Sequence, residues 1–134
     1  MQVTADYAGA AQFVVSARGH RVTCDQPPDN GGADSGMTPP EFLLASLATC
    51  AGFYAAQYLN ARKLPTEGLK VTVTAGKAPQ PARLAAFRIE VQTSELDPRH
   101  DAGLLRAVKA CLIHNTLASP PAIEIVLHST AQVI

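Results

Sequence analysis

The side chains that could carry chemistry in this chain are three cysteines, a few histidines and a small set of charged residues. Cys50 lies inside the apolar run "TPPEFLLASLATC", Thr38 to Cys50, and Cys111 lies in "VKACLIHNTL". A cysteine in a helix is by default a small buried hydrophobe. It becomes a nucleophile or redox centre only where a neighbouring cation or N–H group holds it as the thiolate and leaves it accessible. The charged residues that bear on this are Glu41, nine positions before Cys50, and the arginines Arg18 and Arg21 in the N-terminal third. Cys24 sits at the end of a β-like run before Asp25 and reads as structural.

Spacing limits how these groups can combine. Glu41 follows Thr38 by three residues, with Pro39 and Pro40 at the first helical positions, which is the pattern of a capping box. Along one helix, nine residues separate Glu41 from Cys50 by about 13–14 Å and turn them to opposite sides. Glu41 can therefore serve a Cys50 only on another subunit. Cys111 shares a stripe with Leu104, Leu105 and Val108 at helical spacing, so a core role competes with a redox one. His114, three residues after Cys111, raises a Cys–His nucleophile pair, but no third orienting group or G-x-S-x-G elbow accompanies it. The histidines and cysteines show no zinc spacing and there is no P-loop, so neither a metal nor a phosphate-binding role is expected.

The elements that must position these residues are legible as alternating and helical patterns. "VTADYAG", "AQFVVSA" and "HRVTC" read as three short strands, the first two joined through Gly9. "DQPPDNGGADSGM", Asp25 to Met37, is a long loop shaped by its glycines and Asp34. A helix from about Pro39 to Arg62 follows and ends before Pro65 and Gly68. "LKVTVTA" and "AAFRIEVQT" alternate as antiparallel strands around the turn "KAPQPARL", with Leu69, Val71, Val73, Phe87, Ile89 and Val91 inward. A second helical stretch, interrupted or ended near Cys111 to Asn115, precedes a closing strand, "AIEIVLHST". The layout is α+β, an antiparallel sheet with a long buried central helix and a second, shorter helix, in one domain over residues 1–134.

Composition narrows the function classes. Eleven basic and eleven acidic residues cancel, leaving no basic field for a nucleic acid. A hydrophobic share of 47% with 16% charged residues is that of an ordinary soluble domain. The opening "MQVTADYAGA" lacks the basic and apolar regions of a signal peptide, so a cytoplasmic location with free thiols is expected. The apolar run from Phe42 to Leu59 is interrupted by Ser46, Thr49, Gly52 and Gln57 and reads as a core helix, not a membrane span. Because it is apolar nearly all the way round, it needs covering on every side. One small sheet and one short helix cannot do that, so a second copy of the chain is expected to complete a homodimer.

The run "RGHRVTCDQPPDNGGADSGMTPPEFLLASLATC", with the second cysteine in "VKACLIHNTL" and the order of elements, resembles the OsmC/Ohr family of osmotically inducible and organic-hydroperoxide-resistance proteins. The resemblance implies an intertwined homodimer and a thiol-dependent peroxidase. In it Cys50 attacks an organic hydroperoxide and Cys111 resolves the product as a disulfide. It implies no metal or flavin, only an external dithiol or lipoyl-type reductant. It also implies that a glutamate and an arginine assist at the subunit interface, roles that fall to Glu41 and to Arg18 or Arg21. The apolar surroundings of Cys50 suit a hydrophobic peroxide. The alternative is a non-catalytic or weakly active dimer that keeps the fold and binds a small apolar ligand. Its motivation is that Glu41 stands one residue late, the first hairpin turn has no arginine, and Leu112 follows the second cysteine where proline is usual.

Overall fold

The computed structural model describes residues 1–130. Strands β1 (Thr4–Gly9), β2 (Gln12–Ala17) and β3 (His20–Cys24) form an antiparallel meander in the order β1-β2-β3. The loop from Asp25 to Met37 contains one 3₁₀ turn at Pro28–Asn30 and returns beside β3 through a bridge between Cys24 and Met37. Helix α1 (Pro39–Ala61) follows, and then the antiparallel hairpin β4 (Lys70–Pro79) and β5 (Ala82–Gln92). A 3₁₀ turn at Pro98–His100 leads into α2 (Asp101–Lys109) and α3 (Leu112–Ala118). The architecture is α+β with antiparallel sheets.

The core sits where α1 crosses the β4–β5 hairpin and α2. Every fourth residue of α1, at Leu47, Ala51, Ala55 and Leu59, is buried and forms one narrow stripe. Ala51, Ala55 and Leu59 pack with Leu104 and Val108 of α2, backed by Val71, Ile89 and Val91 from the hairpin. The hairpin register pairs Val71 with Val91 and Val73 with Ile89. On the wet face Arg88 pairs with Glu90 at 3.1 Å. Tyr58 locks α1 to α2: its hydroxyl lies 3.1 Å from His100 Nδ1, and the Arg62 guanidinium stacks 3.7 Å over its ring.

Helix α1 and the break in the second helical stretch match the sequence expectation, while Leu105 and the closing segment depart from it. Helix α1 is long and apolar enough to cross a membrane by length and composition, yet it packs through its stripe into the core. It is not covered all round, however: Leu43 and Phe53 are exposed, Phe53 by 63%. The second helical stretch breaks at Ala110–Cys111 into α2 and α3, and Leu105 turns outward although Leu104, Val108 and Cys111 are buried. The expected closing strand is not formed over 122–130, because no strand among the described residues pairs with it. Ile123, Ile125 and Leu127 on its alternating face are 83%, 91% and 88% exposed.

Candidate functional site

Cys50 and Cys111 meet where α1 passes the break between α2 and α3. Cys50 is half-buried and Cys111 fully buried, and both are free thiols. The break is what presents Cys111. Its backbone leaves the helical region (φ −55°, ψ 130°) and its sulfur caps α3 by accepting the His114 N–H at 3.4 Å. The same turn aims the Leu112 and Ile113 amides at the Cys50 sulfur.

These contacts split the two thiols. Burial pushes Cys50 up, but the Cys111 thiol and the amides of Ile113 and Leu112 stabilise its thiolate, and the balance falls below the ordinary thiol value. Cys111 is raised, first by burial and then by the neighbouring Cys50, more than the His114 and Ile113 amides offset. The arrangement therefore holds one sulfur toward the nucleophilic form and its neighbour toward the protonated form. That is the division of labour a two-thiol redox centre requires.

The other sequence candidates lie elsewhere within the protomer. Glu41 Oε1 accepts from the Thr38 amide at 3.1 Å and from the Thr38 hydroxyl at 2.8 Å, closing the capping box. These bonds lower its carboxyl pKa, the backbone one first. Arg18 occupies the β2–β3 turn with φ 50°, and Arg21 lies on β3; both are exposed. Neither arginine, nor Glu41, is among the groups that act on Cys50. Cys24 is buried at the end of β3.

Asp25 escaped the sequence reading, and His114, weighed there only as the partner of a Cys–His pair, has surroundings that reading did not foresee. Asp25, fully buried at the start of the long loop, accepts from the Gln26, Ala33 and Ser35 amides at 2.8, 3.1 and 3.1 Å. It also accepts from the Ser35 hydroxyl at 2.6 Å and from Gln12 Nε2 at 3.3 Å. The Ser35 hydroxyl leads in holding its carboxyl far below the usual carboxylate range. Asp25 thereby folds the loop that delivers Thr38 and the start of α1. An aspartate at the first position of a Pro/Gly loop, with a serine ten residues on, was the available signal. The second group is His114, whose buried Nδ1 has no hydrogen-bond partner among the described residues. His114 belongs to the wall of a groove of about 920 Å³ between α1, β5, α2 and α3, which Leu47, Phe87, Ile89, Val108 and Leu117 also line.

Residues 31–126 match the model of the family described as OsmC-like protein. The chain belongs to the OsmC/Ohr family. Solved structures show the same fold. A putative osmotic stress induced and detoxification response protein from Psychrobacter arcticus superposes with a TM-score of 0.78 at 20% identity, over 87% of each chain. An OsmC-like protein from Mycoplasma pneumoniae gives 0.70 at 21% identity, covering 89% of this chain and 87% of the other. An organic hydroperoxide resistance protein OsmC from Legionella pneumophila gives 0.61 at 16% identity, covering 89% and 90%. Among curated proteins none matches the chain in sequence.

Proposed function

We propose that the protein is a thiol-dependent reductase of organic hydroperoxides, working through Cys50 and Cys111. The observation that carries this reading is the Cys50–Cys111 pair at the α2–α3 break, with ionisations displaced in opposite directions. The Cys50 thiolate attacks the terminal peroxide oxygen. A sulfur–oxygen bond forms, the O–O bond breaks, and the alkoxide takes a proton from water to leave as the alcohol. Cys111 then attacks the sulfenic acid sulfur, expelling water and closing a disulfide. An external dithiol reduces that disulfide by exchange and is itself oxidised. No metal or flavin is required by this cycle. Organic hydroperoxide resistance is also the role named for the structural relative from Legionella pneumophila.

The same reading makes the working form a homodimer. Within one protomer α1 buries only its Leu47–Leu59 stripe, and Phe53 and Leu43 remain in water. The segment 122–130 carries an alternating apolar face, and no strand among the described residues pairs with it. A second copy supplies both, and it is also the source from which Glu41 and Arg18 or Arg21 reach Cys50.

Steady-state consumption of cumene hydroperoxide with dithiothreitol, in wild type and Cys50→Ser, tests the reaction. Activity is expected to vanish in the variant, and equal rates would sink the proposal. Mass spectrometry after one equivalent of peroxide should map a two-hydrogen loss to a Cys50–Cys111 peptide pair. The groove of about 920 Å³ favours one other reading, a dimer that binds a small apolar ligand without turnover. Peroxide-inert thiols together with retained binding of an apolar dye would select it.

A further inference from the structure

Helices α1 and α2 meet at two close contacts that share one register. At one end the sulfurs of Cys50 and Cys111 lie within hydrogen-bonding reach of each other. Tyr58 lies eight residues after Cys50 and Gly103 eight residues before Cys111, and these two residues make the contact at the other end. Between the ends α1 offers only small side chains, Ala51 and Ala55, to Leu104 and Val108. Gly103 sits inside α2 and does not have positive φ, so the chain does not use its conformational freedom there. The glycine supplies space instead. A Cβ built on it would lie 2.8 and 2.9 Å from the Tyr58 ring carbons Cε2 and Cζ, and closer still to the hydroxyl. The ring is held where it is. Arg62 stacks over it at 3.7 Å, its hydroxyl lies 3.1 Å from His100 Nδ1, and it packs on the core cluster.

We infer that Tyr58 and Gly103 are positioning residues for the thiol pair, the ring seated on the glycine setting how closely Cys111 meets Cys50. This rests on the reaction proposed above, in which those two sulfurs must bond. Cys111 follows Lys109, the last residue of α2, by two positions and moves with that helix. Carbon atoms need roughly 3.5–4.0 Å of separation, so a methyl group on Gly103 drives α1 and α2 apart by about 1 Å. The lever is short, because eight residues of α1 span only about 12 Å. A disulfide tolerates little spread, with Cβ atoms roughly 3.5–4.5 Å apart. A misplacement of about 1 Å costs on the order of 100-fold in the effective concentration of one reacting group at the other.

The experiment equilibrates purified full chains of wild type, Gly103→Ala and Gly103→Ala/Tyr58→Leu in glutathione buffers, well below their melting temperatures. One glutathione disulfide is reduced to two glutathione thiols as Cys50 and Cys111 are oxidised to their disulfide, which mass spectrometry reads as a linked peptide pair. The constant for that exchange reports how the folded protein holds its sulfurs, which a loss of stability alone does not change. Gly103→Ala should lower it on the order of 100-fold, and leucine at position 58, which vacates the place of the ring, should recover most of the loss. If Gly103→Ala does not fold, Tyr58→Trp, which enlarges the ring against an unchanged glycine, takes its place. A constant within about twofold of wild type overturns the inference, as does an equal loss in the double variant or a wild type that forms no such disulfide. Failure of the peroxide reaction is separate. It shows as wild-type turnover no faster than that of Cys50→Ser, and the glutathione constant still decides the positioning.

Discussion

Gly36 is where the long loop leans on β3, and alanine there should loosen the foundation of α1. A Cβ built on Gly36 would lie 2.1 Å from the Thr23 carbonyl oxygen and 2.8 Å from its carbon. A carbon–oxygen contact needs roughly 3.3 Å, so loop and strand must separate by more than about 1 Å. Both clashing atoms are backbone, and no rotamer change relieves them. The movement strains the Asp25 N–H bond to the Met37 carbonyl, 3.2 Å long, and the Ser35 contacts that hold Asp25. Overpacking costs about 1–3 kcal/mol and one lost backbone hydrogen bond about 0.5–1.5 kcal/mol, together roughly 2–4 kcal/mol. For a chain of this length that is a fall in Tm of about 10 °C. Gly36 does not have positive φ, so the penalty is steric and not conformational. Gly76→Ala is the control, because its added Cβ would meet only Ala86 Cβ at 3.9 Å, and it should stay within about 1 kcal/mol of wild type. Thermal unfolding by circular dichroism, at one fixed protomer concentration, reads both variants. A Gly36→Ala Tm within about 2 °C of wild type would refute the close-approach argument.

Other expectations are shorter to state. The Asp25 carboxyl has its pKa depressed by folding, so its contribution is present above the unfolded value near pH 4 and fades as the pH falls below it. Asp25→Asn should therefore lower Tm at pH 7, with the gap to wild type narrowing in acid; a constant gap would count against it. Cys111→Ala removes a thiol that helps hold Cys50 down, so the pH profile of Cys50 alkylation should move to higher pH, and an unmoved or lowered profile would contradict the coupling. Truncation before Ala122 should shift the protein from dimer to monomer in sedimentation, since Ile123, Ile125 and Leu127 have no cover within the protomer. An intact dimer would show that the second copy is held by α1 alone.

Much of the fold was legible because it is written in short-range patterns. Alternation at Val71, Val73, Phe87, Ile89 and Val91 marked the hairpin, and Thr38, the two prolines and Glu41 marked the start of α1 to the residue. The capping role of Glu41 followed from spacing alone, as did the exclusion of a contact with Cys50 in the same chain. The closing strand was not recovered over 122–130 within the chain, because a strand is defined by its partner and not by its own alternation.

What the sequence by itself determined was the order of elements, the start of α1 and the presence of two cysteines in helical stretches. Each depends on residues within a turn or two of one another. Only the tertiary structure decided that Cys50 and Cys111, sixty-one positions apart, face each other at a break in the second helix. It also decided that Asp25 organises the loop and that His114 Nδ1 is buried without a hydrogen-bond partner among the described residues. The ionisation of a thiol depends on amides and dipoles brought to it from distant parts of the chain, and those distances exist only once the chain has folded.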